Sequence, residues 1–301
     1  MTNEQRLQNL RIPEGPVDVV LDTDAYNEID DQYAISYLLA SQEKLRLKAF
    51  YAAPFLKPHL DSVRQGMEES YREICDLLKL AGKEAAVLKG SDRFLSDEKT
   101  PVDSEAARDL ARRALSYSPE KPLYVIAIGA ITNVASAILL EPKVAENTVI
   151  VWLGGHARHY HDTHEFNLYQ DIAAARVVMG SGVPFVQLPC MGVVDKFALS
   201  RPELEMWLAG KNELCDYLVA VTKQHAIDHH YGGDCWSKVI WDVTAVAWLV
   251  DRHFVLTRVL PVRLPGYDHQ YEQAEQQHLM AYAYNIDRNR LMEDLIKKLT
   301  K

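Results

Sequence analysis

The sequence is poor in cysteine, in basic runs and in long apolar stretches, and each shortage closes off a class of protein. Its four cysteines, Cys75, Cys190, Cys215 and Cys235, lie far apart with no C-x-x-C or other paired spacing. That argues against a disulfide scaffold and a thiolate zinc cluster, and reads as free thiols in a reducing compartment. No Lys/Arg-rich run occurs and the formal charge is −9, so nucleic acid is not an expected partner. The longest apolar stretches run to about ten residues, half of the ~20 that a membrane-spanning helix needs. The opening MTNEQRLQNLRIP has no apolar core of the kind a secretion signal carries. Together these absences predict a soluble, cytoplasmic protein with no membrane partner.

What the chain does have is 48% apolar residues, set in short runs that alternate with amphipathic stretches. VDVVLD reads as a strand and DDQYAISYLLAS as a helix. LRLKAFYAA is a strand, and Val63, Met67, Tyr71, Ile74 and Leu78 then recur at helical spacing up to Ala81-Gly82. SEAARDLARRALSY, ITNVASAILLEP and DIAAARVVMGSG read as helices interleaved with the strands LYVIAIG, NTVIVWLGG and VPFVQLP. This alternation predicts an α/β fold, a Rossmann-like open and mostly parallel sheet with helices on both faces. After about residue 200 the pattern turns mostly helical (RPELEMWLAG, NELCDYLVAVTKQHAIDHH, WDVTAVAWLV and a polar helix after Asn285). No repeat, linker or low-complexity segment divides the chain, so a single domain over 1–301 is expected.

In such sheets ligands sit where strand hands over to helix. Four such places are chemically rich: DTDAYNEIDD, AIGAITN, LGGHARHYHDTHEFN and KVIWDVTA. The first carries Asp22, Asp24, Asp30 and Asp31 within ten residues, with Glu28 between them. One aspartate can cap a helix. Four crowded carboxylates without a cation would raise one another's pKa and cost stability, and a hard divalent ion, Ca²⁺ or Mg²⁺, is the natural neutraliser. An EF-hand does not fit, since Tyr26 stands where a ligand should be and no glycine follows. A haloacid-dehalogenase-type phosphatase also opens with a strand and Asp-x-Asp, but it does not need Asp30-Asp31 and stays as the runner-up.

Asp22-Thr23-Asp24, a short loop and Asp30-Asp31 resemble the opening motif of the calcium-dependent ribonucleoside hydrolases, the inosine-uridine preferring nucleoside hydrolase family. The loop AYNEI is about two residues longer than in the best-known members, which leaves the contacts of Asn27 and Glu28 to be found. IGAITNVASAILLEP looks like the family's G-x-L-T-N-x-A segment, and LGGHARHYHDTHEFN resembles its glycine turn followed by E-F-N. VIWDVTAVAWL resembles the late segment whose aspartate completes the calcium shell. The motifs recur in family order over most of the chain.

The resemblance implies the nucleoside hydrolase fold and hydrolysis of a ribonucleoside N-glycosidic bond by a calcium-bound water. It implies Asp24, Asp31, the Ile128 carbonyl and Asp242 as metal ligands and Asp30 as general base. Asp22, Asn27, Glu28, His159, Glu165 and Asn167 would face the substrate. Trp241 stands where the purine-preferring branch places a tryptophan on the leaving base, which points to purine metabolism and nucleoside salvage; core packing is its other reading. His159 occupies the place of a family asparagine, and FYAAPFLKPHLD offers no clear equivalent of a sugar-facing Asn or Asp. A zinc reading of His156, His159, His161 and His164 competes with a surface role. The family forms dimers and tetramers, so a homo-oligomer is expected. The competing function is a nucleoside- or sugar-binding protein that keeps the metal site with a changed substrate or lost activity.

Overall fold

The computed structural model describes residues 1–272 and 278–301. A short helix α1 (Asn3–Asn9) precedes β1 (Val17–Thr23), α2 (Asp30–Leu39), β2 (Leu45–Ala52), α3 (Val63–Leu80) and β3 (Val87–Lys89). Then come α4 (Glu105–Ala114), β4 (Leu123–Ala127), α5 (Thr132–Leu140), α6 (Val144–Asn147) and β5 (Thr148–Leu153). They are followed by α7 (Phe166–Gln170), α8 (Ile172–Gly180), β6 (Phe185–Leu188), β7 (Ala198–Ser200), α9 (Arg201–Leu208) and α10 (Glu213–Asp228). The chain closes with β8 (Ser237–Val239), α11 (Val243–Val250), β9 (Val255–Pro261), β10 (Leu279–Ile286) and α12 (Arg288–Leu299).

Eight strands form one sheet in the order β3-β2-β1-β4-β5-β6-β10-β9, parallel throughout except for the antiparallel β10–β9 edge. Period-two alternation sends successive side chains to opposite faces, and both faces are covered. Val19 and Leu21 of β1 join one core with Tyr124 and Ile126 of β4 and Val149 and Val151 of β5. Val20, Val125, Ile150 and Trp152 join the other. This is why the central strands read as unbroken apolar runs.

The strands run outward from β1 to β3, then jump back to β4 on the other side of β1 and continue to β6. The strand order therefore reverses between β1 and β4, and a crevice opens there beyond their C-terminal ends. Asp22 pairs with Ala127 in register across that boundary. The motifs DTDAYNEIDD and AIGAITN flank the same crevice.

The expectation of a mostly helical part after residue 200 needs correction. α9, α10, α11 and α12 are present, but β10 and β9 extend the main sheet, and β7 and β8 form a small antiparallel pair. The alternation was in LMAYAYNI, where Met280 and Tyr282 face one core and Ala281 and Ala283 the other. β9 was masked because it is an edge strand, half-exposed over VLTRVLP.

Close packing places the segment after β2 beside the crevice. Gly66 of α3 lies so near it that a methyl group there would sit 2.1 Å from the Phe55 carbonyl oxygen. Gly66→Ala is therefore expected to cost about 2 kcal/mol in urea unfolding, despite alanine's helix propensity. Gly15→Ala, with nothing within 4 Å of the added carbon, should change stability by less than about 0.5 kcal/mol. An unshifted midpoint for Gly66→Ala would mean that this segment yields freely.

Candidate active site

The turn after β1 brings the aspartates together. Asp22 is the sixth residue of β1, and Asn133 of α5 donates to its Oδ1 at 2.7 Å. Asp24 follows the strand end, and its carbonyl accepts from the Asn27 amide at 2.7 Å to close the turn. Asp30 and Asp31 are the first residues of α2, whose N-cap, Ile29, has no side-chain cap bond. Asp242 is the N-cap residue of α11 and likewise makes no side-chain cap bond. The capping alternative therefore accounts for none of these three. Thr132, the first residue of α5, turns its hydroxyl to Asp171 and donates to it at 2.7 Å.

Carboxylate oxygens of Asp30, Asp31 and Asp242 lie within 4.8 Å of one another, all three residues buried. Thr23 donates to Asp31 Oδ1. Asp24 stands beside them, and a methyl group on Gly129 would sit 2.9 Å from its Oδ1. Glycine there lets the loop after β4 press against the aspartate. Among the described residues, Asp22 Oδ2, Asp24 Oδ2 and Asn27 Oδ1 are buried without a hydrogen-bond partner. Orphaned buried carboxylate oxygens are costly.

The electrostatics follow. Burial pushes Asp30 up to about 6, with Glu28 adding to the rise and Lys238 opposing it. Burial, then the neighbouring Asp30, pushes Asp31 up to about 8. Asp22 is raised by burial to about 7, against the pull of Asn133. Asp24 and Asp242 lie well above the ordinary carboxylate value, first by burial and then by repulsion from the other aspartates.

These groups wall a cavity of about 240 Å³. Ten of the twelve residues singled out in the sequence line it: Asp24, Asn27, Glu28, Asp30, Asp31, Ile128, Glu165, Asn167, Trp241 and Asp242. Asp22 lies outside the lining, in the strand beneath. His159 also lies outside it, exposed on the loop with its ring near Gly192. From that loop His156 and His164 line the cavity instead. Among the described residues these histidines join no three-residue metal-ligand cluster.

Glu165 caps α7. Its carboxylate accepts backbone N–H bonds from Gly155 at 2.8 Å, Asn167 at 2.9 Å and Leu168 at 3.0 Å. A carboxylate has about four acceptor positions, so roughly one is left for a hydroxyl. Asn167 donates both amide hydrogens, to the Ile128 and Leu153 carbonyls at 3.0 Å each. It thereby ties the ends of β4 and β5 together and fixes the Ile128 carbonyl at the cavity wall. Trp241 is half-buried, packed on the core on one side and lining the cavity on the other.

The main residue that the sequence reading missed is Lys238 of β8. It is 5% exposed, pairs with Glu28 and lies 4.0 Å from Asp30. Although burial works against it, this ammonium holds the Glu28 carboxyl below its ordinary value. The signal was present: Lys238 and Ile240 alternate inward in SKVIW. Lys57 was also missed; its ammonium donates to the Asn27 carbonyl. The longer AYNEI loop is thus pinned by two lysines from elsewhere in the chain.

Over residues 19–293 the chain matches the family model described as inosine-uridine preferring nucleoside hydrolase. A non-specific ribonucleoside hydrolase, RihC, of Salmonella typhimurium is 27% identical over 253 residues, covering 77% of this chain and 78% of that one. Among solved structures, a plant nucleoside hydrolase superposes with a TM-score of 0.78 at 20% identity, over 95% of this chain and 99% of that one. A purine-preferring ribonucleoside hydrolase from Gardnerella vaginalis gives 0.75 at 19% identity, over 94% and 98%. At that identity the superpositions speak for the fold.

A carboxyl whose pKa is raised by folding stabilises the fold only while protonated. The ordinary value is 3.8, and Asp30, Asp22 and Asp31 stand at about 6, 7 and 8. Their contribution is therefore complete below about pH 4 and is lost as pH rises through 6 to 8. Chelator-treated protein should melt at a lower temperature at about pH 8.5 than at about pH 5.5. Added Ca²⁺ should raise the melting temperature more at the higher pH, and a calcium effect equal at both would dissociate the carboxylates from metal binding.

Proposed function

The chain belongs to the inosine-uridine preferring nucleoside hydrolase family, and from that premise we propose that it cleaves the N-glycosidic bond of a ribonucleoside, giving free base and ribose, with Ca²⁺ held in the acidic crevice. The observation that carries this reading is the buried Asp30–Asp31–Asp242 cluster, with the orphaned Asp24 oxygen beside it, at the point where the strand order reverses. These residues fit a hard divalent cation: their donors are all oxygen, several are unsatisfied, and burial makes each uncompensated charge costly. Asp24, Asp31, Asp242 and the Ile128 carbonyl would hold it. When bound, such an ion polarises a water toward hydroxide and offers coordination sites to a sugar diol.

The rest falls to the chain's own side chains. Bond cleavage leaves an oxocarbenium-like sugar that water must attack, and Asp30 accepts the proton that this water loses. Asp30 suits the task because Lys238, 4.0 Å away, favours its ionised form among neighbours that oppose it. Glu165 and Asn167 position the sugar, held rigid by their backbone bonds, and positioning of this kind is worth several kcal/mol. Asp22 and Asn133 brace the floor. The Trp241 indole lines the cavity where a departing purine could stack and so become easier to protonate. A role in nucleoside salvage follows from the products.

The test is a reducing-sugar assay on inosine, adenosine, guanosine, uridine and cytidine. Ribose release that a calcium chelator abolishes is the expected result. Retained calcium binding with no release would favour a binding protein built on the same site. Asp30→Asn should leave calcium binding largely intact while lowering kcat by a factor of about 10² to 10⁴, the usual range for a lost acid–base group. Near-normal turnover would remove Asp30 from that role. Trp241→Ala should hurt purine substrates most, and equal losses on every base would reduce the indole to packing.

A further inference from the structure

Next to the catalytic cavity, and sharing the walls Asn27, Glu28 and Phe166 with it, lies a second and larger space of about 670 Å³. The catalytic cavity, at about 240 Å³, is below the ~300 Å³ at which ligand pockets usually begin. The walls of the larger space, the annex, are rich in rings. Four benzenoid rings, Tyr26, Phe166, Tyr169 and Tyr217, line it, together with the imidazoles of His59, His225 and His229. Tyr26 is 50% exposed, an aromatic surface left open at the mouth. His225 and His229 already stack, with ring centroids 3.9 Å apart and planes within 23°, and so present a flat face.

The charged groups of the annex are matched within the chain. Glu28 pairs with Lys238. Glu73 accepts from the Tyr217 hydroxyl and from Gln32 at 3.2 Å. Asp228 accepts from Gln224 at 2.8 Å. Lys57, the one lysine lining the annex among the described residues, is occupied by the Asn27 carbonyl and lies 5.7 Å from the Phe166 ring centroid. With three carboxylates against one lysine, the wall disfavours a phosphate. It offers ring faces to an uncharged, flat group.

We propose that this annex is a substrate subsite for an uncharged aromatic ring carried by the nucleoside in addition to its own base, so that the preferred substrates are ring-bearing nucleosides. The proposal rests on the nucleoside hydrolase reading above. The added ring is attached either to the base or to the 5′ carbon of the sugar. Both attachments offer the same chemistry to the annex, and the experiment separates them.

The substrates to compare are adenosine, N6-benzyladenosine, 5′-O-benzyladenosine and adenosine diphosphate ribose, with calcium present, for wild type and for Gln224→Trp. Gln224 is an exposed residue of α10 at the annex wall, away from the catalytic cavity, and an indole there would fill the space. One benzyl compound should exceed adenosine in kcat/KM at least tenfold, mainly through KM, and adenosine diphosphate ribose should not. Gln224→Trp should erase that advantage and leave adenosine unchanged. The same compounds are titrated by calorimetry. If none is hydrolysed, the hydrolase reading falls, while tighter binding of a benzyl nucleoside, lost in Gln224→Trp, still upholds the annex. Benzyl compounds no better than adenosine in both rate and affinity, or a preference for the diphosphate, would overturn the proposal.

Discussion

Like charges forced together where water cannot reach them are the constraint on which the rest of this structure depends. Two carboxylates about 5 Å apart repel by roughly 3 kcal/mol at an effective dielectric of about 20. Asp24, Asp30, Asp31 and Asp242 are all nearly inaccessible to solvent. The protein offsets part of this with what it has. Asp30 and Asp31 sit in the first turn of α2 and Asp242 at the start of α11, where the helix dipoles favour negative charge. Lys238 supplies one full positive charge. One ammonium and two helix ends do not balance four carboxylates, and the remainder is the charge that the proposed divalent ion would neutralise.

The scaffold serves that arrangement through close backbone approach. The carboxylates come from the end of β1 and the starts of α2 and α11, so they converge only if these three points, and the loop after β4 that presses on Asp24, lie within a side chain's reach of one another. Gly129 permits one approach, and Trp152, donating to the Gly129 carbonyl at 3.1 Å, fixes the loop that makes it. Asn167 and Asn133 act as staples. The first joins β4 to β5 through two carbonyls. The second reaches Asp22, the Ala52 carbonyl and Ser91, and so ties α5 to β1 and to the end of β2. Asn133 is hydrogen-bonded through both its nitrogen and its oxygen, and Asn167 through both amide hydrogens, so that both rigidify rather than burden a core.

How much of this was legible in the chain depended on how local each signal was. The parallel sheet was written in short apolar runs alternating with helical periodicity, and the acidic crevice in the density of carboxylates at one strand end. Ten of the twelve expected residues share one cavity because each lies at the end of a strand, at the start of a helix or in the short loop between the two, positions that the fold class itself brings together. His159 does not, since a loop of this length has no periodicity from which to read direction. β9 was hidden because an edge strand that is half-exposed has no clear apolar run, whereas the alternation of β10 was there to be read in LMAYAYNI. For Lys238 the alternation in SKVIW gave the direction but not the role: a lone lysine carries no motif, and its partners, Glu28 and Asp30, are remote in sequence.

That ion pair explains why the acidic loop tolerates its length. Lengthening the loop between Asp24 and Asp30 by about two residues would ordinarily add conformational freedom where a rigid site is needed. Here Asn27 is fixed from the segment after β2 by Lys57, and Glu28 from β8 by Lys238. The two anchors come from segments far apart in the chain. They draw Asn27 and Glu28 into the partition between the catalytic cavity and the aromatic annex. The same pairing sets Asp30 apart from Asp31. The two are sequence neighbours and both are buried, but Asp30 has the ammonium at 4.0 Å whereas Asp31 has a threonine hydroxyl. One carboxylate is biased toward its ionised form by a lysine, and the other has no such cation from the chain. Adjacent residues of one type thereby acquire different chemistry from their partners alone.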